Sequence, residues 1–249
     1  MITRLQLGTS RLENIRPEVR EKFLDKSWLH LGDPENEALI SKSFSISYLF
    51  EIFKSKNISF IFTKIFQKIY RNKRRNSNRG VIELYSETNF KVFYFRKADM
   101  LPFDDNSIDF IYSEHFFEHL FFDEAFALFR ECHRILKPYG VIRTCVPDAD
   151  LRIYEKPEPL GFPNKKLPYS DPGKHKTRWS VYALEETLRL AGFESQPLRY
   201  CDKWGKYNIQ HPLSNADAYD RCPEKEMIFD LSYIYRTDSL IIDGIKKSF

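Results

Sequence analysis

Residues 98–150, ADMLPFDDNSIDFIYSEHFFEHLFFDEAFALFRECHRILKPYGVIRTCVPDAD, constrain the fold more than any other stretch of the chain. A polar turn, Asp104-Asp105-Asn106-Ser107, feeds the apolar run Ile108-Asp109-Phe110-Ile111-Tyr112, which reads as a buried strand. Ser113-Glu114-His115 stands where that strand ends, and residues 116–120 read as one helical turn. A longer helix is predicted over 123–136, with Asp123 as N-cap and Phe126, Phe129, His133 and Leu136 as its inward stripe. Lys137-Pro138-Tyr139-Gly140 ends it, with Gly140 expected in a left-handed conformation. A strand over 141–146 then delivers Pro147 and Asp148 to the same edge as Ser113. That order is a unit of a parallel α/β sheet, and ligands bind such sheets outside the carboxyl ends of the strands.

The flanking chain repeats the pattern. Arg4-Leu5-Gln6-Leu7 is a short strand running into Gly8-Thr9-Ser10, and Trp28-Leu29-His30-Leu31 a second one closing on Gly32-Asp33-Pro34. A glycine at a first strand–loop junction either lets backbone approach a ligand or simply ends the strand. An acidic residue at the end of a second strand is placed to bond a ribose, although Asp before Pro is also a turn former. Residues 81–85 and 91–96 are strand-like, and Asp99 follows the latter. There a carboxylate can accept a hydrogen bond from an adenine amine, with the Met100 N–H beside it. Towards the C-terminus a helix is predicted over 181–190 with Ala191-Gly192 as its stop, then a closing antiparallel pair, 193–200 with 240–245.

Residues 40–80 break the rhythm. Ile58, Ile61, Phe62, Ile65, Phe66 and Ile69 recur at helical spacing, and the bases Arg71, Lys73, Arg74 and Arg75 follow. This segment reads as a basic, aromatic helical insertion in a single domain spanning 1–249. It is either a lid or a docking arm through which 58–75 contacts a membrane surface or another anionic partner. No nucleic-acid partner is expected: the net charge of +4 is modest and the basic run has no recognition fold around it. Four cysteines without paired spacing, no signal-peptide core and no membrane-length apolar window point to a cytoplasmic protein with reduced thiols.

Taken together, Asp99-x-Leu101-Pro102-Phe103 with Ser107 and Asp109, Glu114-His115-x-x-Glu118-His119-Leu120, the Arg134 to Gly140 turn RILKPYG and the strand ending Pro147-Asp148 resemble the class I S-adenosylmethionine-dependent methyltransferases. The likeness is greatest to the methyltransferase type 11-like proteins. LQLGTS resembles that family's first motif, WLHLGD its second-strand acidic motif, 175–193 its late helix and SLIIDGIK its last strand. The resemblance implies a doubly wound, mostly parallel seven-stranded Rossmann-like sheet and S-adenosyl-L-methionine as cofactor. It puts Gly8, Thr9 and Ser10 against the methionine part, Asp33 on the ribose, Asp99 and Met100 on the adenine, and Ser113 and Glu114 on the sulfonium side. The acceptor expected is a small molecule or a glycan precursor. Ser10 departs from the family pattern, standing where a second glycine is usual. This departure motivates the alternative of a degenerate fold serving as a binding or scaffold module.

Methyl transfer asks mainly for alignment of a nucleophile with the sulfonium methyl and exclusion of water, helped by a general base. His115 and His119 are the candidate bases, with Glu118 or Glu114 to orient them, and His175 is a third histidine from the segment over the pocket. His115-Phe116-Phe117-Glu118-His119 also spells the inverted zinc-protease motif. That chemistry needs the motif inside a long helix, whereas here it directly follows a strand. A milder version, a divalent ion held by His115, Glu118 and His119, stands against a packing role for His119, and packing with no metal is the expectation. Trp204, Tyr207, His211 and Tyr219 form either a ring-recognising collection or surface packing.

Overall fold

A computed structural model describes residues 2–8, 25–32, 89–92, 95, 99–151, 175–230 and 239–248. The 40–80 insertion, the expected strand over 81–85, and Thr9, Ser10 and Asp33 lie outside the described residues. The strands are β1 (Arg4–Leu7), β2 (Trp28–Gly32), β3 (Asn89–Val92), β4 (Ile108–Glu114), β5 (Leu136–Pro147), β6 (Glu194–Cys201), β7 (Tyr207–Ile209) and β8 (Ser239–Ile245). They form one sheet in the order β3-β2-β1-β4-β5-β8-β6-β7. β3, β2, β1, β4 and β5 run parallel, while β8 enters antiparallel between β5 and β6. The expected closing pair of β6 and β8 is present. The short β7, hairpinned onto β6, makes eight strands among the described residues where seven were expected. β3 overlaps the predicted 91–96 at residues 91 and 92, and most of the remaining predicted residues lie outside the described ones.

Both sheet faces are covered, as parallel strands require. Along β4, Ile111 packs on one side with α1 (Phe122–Ile135) and α2 (Val181–Leu190). Its neighbours Phe110 and Tyr112 point to the other side, against Trp28, Tyr219, Met227 and Ile228. Tyr219 closes a 3-10 segment, Pro212–Tyr219, and Met227 and Ile228 belong to α3 (Lys225–Phe229). No described helix is long and apolar enough to cross a membrane.

Several local expectations are corrected. The inward stripe of α1 is Ala125, Leu128, Phe129, Cys132 and Ile135, because that is the face packed against the sheet and α2; Phe126 and His133 lie at its boundary and Leu136 already belongs to β5. The N-cap is Phe121, not Asp123. The Glu124 carboxylate accepts the Phe121 N–H at 2.9 Å, and Asp123 accepts the Glu124 N–H from within the first turn. Inside β5, where its pairing with β4 shifts register between Leu136 and Val141, the left-handed residue is Tyr139 (φ 64°), not Gly140. Its N–H donates to the Lys246 carbonyl and its hydroxyl is held between Ser248 and Arg221, which offsets the strain. Gly140 is needed for space instead: a Cβ there would stand 2.9 Å from the Lys137 carbonyl oxygen.

Candidate active site

The strand ends bring the candidate residues together. β1 and β4 pair with Leu7 beside Ser113, so Gly8 follows β1 at the edge where β4 delivers Ser113, Glu114 and His115. Gly8 has φ 83° and its N–H bonds the Leu31 carbonyl. A Cβ on it would stand 2.2 Å from the Cβ of Phe116, so only glycine fits between the two loops. Phe116 is a site-forming residue that the sequence reading passed over.

At His115 the chain leaves β4 in a left-handed conformation (φ 51°), uncommon for a non-glycine residue and concentrated at functional sites. After Phe116 the chain makes a 3-10 turn, Phe117–His119. Phe117 anchors it: fully buried, its ring stacks on Phe129 of α1 at 4.0 Å. With Phe117 driven inward, Glu118 is buried (1% exposed) while the rings of His115 and His119 stay partly open. His115 Nδ1 lies 3.3 Å and His119 Nε2 3.9 Å from Glu118 Oε1. His115 Nε2 is also 3.0 Å from the hydroxyl of Ser239, the buried first residue of β8. The expected grouping of both histidines around Glu118 is thus present, but on a 3-10 turn rather than a long helix. The inverted zinc-protease arrangement is therefore absent.

His175 comes to the same place. The Lys176 and Thr177 N–H groups both donate to the Glu118 carbonyl, at 2.7 and 3.1 Å, and the Thr177 hydroxyl donates to the Leu120 carbonyl. Two residues on, the Trp179 carbonyl accepts the Ala149 N–H beyond the end of β5. Held from both sides, the segment sets the His175 ring edge-on to His119, 5.1 Å between centroids. Nearby, Asp148 accepts the N–H groups of Cys201 and Asp150, and burial raises its carboxyl above the ordinary range.

Ser113 is fully buried, and its hydroxyl has no hydrogen-bond partner among the described residues. Glu114 accepts the Tyr112 hydroxyl at 2.8 Å. Asp99 and Met100 are exposed and line a groove over α1 with Phe126, Arg130, Glu131 and Gly192. The turn after them is fixed, because Arg134 donates to the Leu101 and Phe103 carbonyls and Glu131 accepts the Leu101 N–H. His133 packs against Phe193, and burial lowers its pKa, consistent with a boundary histidine. The aromatic collection nearer the C-terminus does not form one surface. Trp204 is exposed under Lys203, Tyr207 receives a hydrogen bond from Arg199, and Tyr219 is buried.

Five parallel strands continued by an antiparallel strand inserted before the last pair make this a Rossmann-like sheet of the methyltransferase type. Residues 67–144 match the model of the methyltransferase domain family. No curated protein matches the sequence. Similar solved structures include the complex of the Haloferax volcanii Trm112 methyltransferase activator with a methyltransferase, at 18% identity over 100% of this chain and 83% of that one, TM-score 0.49. An S-adenosylmethionine-dependent methyltransferase from Mesorhizobium loti is similar at 13% identity, covering 98% and 91% of the two chains, TM-score 0.49. Haemonchus contortus phosphoethanolamine N-methyltransferase 2, in complex with S-adenosyl-L-methionine, is similar at 12% identity over 100% of this chain and 49% of that one, TM-score 0.45.

At this edge the side-chain direction of Gly8 is filled by Phe116, and the buried Ser113 hydroxyl has no partner among the described residues.

Proposed function

We propose that the chain transfers the methyl group of S-adenosylmethionine to a small-molecule or glycan-precursor acceptor held at the carboxyl ends of β1, β4 and β5. The observation that carries this reading is the clustering of His115, Glu118, His119 and His175 around the end of β4, beside the glycine that opens the first loop. The cofactor supplies a sulfonium methyl. Gly8, Thr9, Ser10, Ser113 and Glu114 hold its amino-acid end, Asp33 its ribose, and Asp99 with Met100 its adenine. His119 or His115 accepts the acceptor's proton, oriented by Glu118, as the partly open imidazoles around a buried carboxylate permit. A cytoplasmic setting accords with four buried, free thiols.

Calorimetry with S-adenosylhomocysteine tests the cofactor assignment: micromolar-range binding is expected, weakened strongly by Asp99→Ala. A second reading, a non-catalytic binding module of the same fold, draws on the close approach of Phe116 to Gly8 at the cofactor edge. Absence of binding at millimolar S-adenosylhomocysteine would favour it, and recovery of binding by Phe116→Ala would identify the aromatic as the cause.

A further inference from the structure

Glu118, His119 and His175 each present a ligand atom, and all three atoms lie within 4.8 Å of one another. Ligands at about 2.1 Å from a tetrahedral ion stand about 3.4 Å apart, so small side-chain rotations close the set. Two features distinguish this group from histidines that merely pack. The carboxylate is held in a buried position by the Phe117 anchor beside it. The third donor comes from a segment 56 residues further along the chain, pinned to the Glu118 carbonyl by two N–H bonds. His115 flanks the carboxylate through Nδ1 and is itself oriented by Ser239, the outer-layer support common around metal ligands.

We infer that Glu118, His119 and His175 bind a first-row divalent transition-metal ion, which leaves His115, of the two candidate bases, to accept the acceptor's proton. Two imidazoles and one carboxylate suit zinc, manganese, iron or cobalt and discriminate against magnesium, which prefers an all-oxygen shell. Three protein donors leave coordination positions open. Those positions take an oxygen of the acceptor, a role that rests on the methyl-transfer reading and narrows the acceptor to one with a hydroxyl or carboxylate near the methylated atom.

The full chain, stripped with a chelator and dialysed, is titrated with zinc by calorimetry and with cobalt by visible absorption. One ion per chain is expected, with a visible cobalt band from nitrogen and oxygen donors. His175→Ala and His119→Ala are expected to weaken zinc binding at least tenfold, with unchanged far-ultraviolet circular dichroism. Should either variant unfold, His175→Gln keeps the bulk of the side chain and serves in its place. Failure of the wild-type chain to bind zinc or cobalt, or equal binding by the histidine variants, overturns the site. S-adenosylhomocysteine binding is measured in parallel on the stripped chain. Metal bound without S-adenosylhomocysteine leaves the site standing and removes its role in methyl transfer, whereas the converse removes the site and leaves the cofactor reading intact.

Discussion

The polar cluster between β5 and β8 and the one at the end of β4 are built differently. Between β5 and β8, Arg143 and Asp243 are both fully enclosed and meet in a bidentate pair at 2.7 Å for each bond. Tyr219 donates its hydroxyl to the same carboxylate at 2.9 Å, and Arg143 also reaches the Ile228 carbonyl. Burial works against the Arg143 charge, yet the adjoining Asp243 raises its pKa overall; burial also drives the Tyr219 phenol upward. At the end of β4, by contrast, Glu118 is equally enclosed while His115 and His119 are 25% and 37% exposed. The first cluster is sealed and ties sheet to α3. The second keeps its polar edge towards solvent, on a left-handed residue and a 3-10 turn. A sealed polar cluster serves the fold; an open one beside the strand ends is available for chemistry.

Substitutions separate the two roles. The largest effect on stability is expected from Asp243→Ala, which leaves Arg143 charged and enclosed without its partner and costs about 3–5 kcal/mol in denaturant unfolding. A loss below about 1 kcal/mol would show that the pair does not organise the β5–β8 seam.

Glu131→Gln comes next. This carboxylate, hydrogen-bonded to Arg134 and to the Leu101 N–H, fixes the turn before β4, and its loss costs about 1.5–3 kcal/mol at neutral pH. The Arg134 hydrogen bond, opposed by burial, holds its pKa below the ordinary 4.5. Its contribution is therefore present above that value and lost as pH falls through the lower folded pKa. The wild-type and variant stability curves should converge in acid, and parallel curves would remove the charge from the explanation.

Tyr219→Phe removes one donor from the sealed cluster and costs about 1 kcal/mol in the same unfolding measurement. The smallest stability change is expected for Glu118→Gln, under about 1 kcal/mol, because the site is not what holds the fold together. Methyl transfer should nevertheless fall by about 100-fold or more if Glu118 orients the base. A Glu118 variant as unstable as Asp243→Ala would erase the distinction between the clusters.

Much of the fold was legible because its signals are local. Alternation along Arg4–Leu7 and the apolar run Ile108–Tyr112 mark strands, and Ala191-Gly192 marks the end of α2, where Gly192 has φ 104°. The N-cap was misplaced because capping depends on the Glu124 bond to Phe121, which residue type alone does not reveal. Tyr139 took the left-handed place expected of Gly140 because partners at Lys246, Ser248 and Arg221 reward it there. Those partners lie over 80 residues away in sequence, beyond any local rule.

The candidate site divides the same way. The sequence by itself determined that histidines and carboxylates gather where β4 ends, since the strand's length and the turn that follows are written in adjacent residues. Only the tertiary structure decided how they act. Phe117 stacking on Phe129 turns Glu118 inward, Ser239 meets His115, and backbone bonds from 176 and 177 bring His175 beside His119. Likewise Arg143 and Asp243 read as ordinary charges in two apolar strands until antiparallel pairing sets them opposite each other. Spacing along the chain fixes what local backbone geometry can place, whereas contacts between distant residues depend on packing.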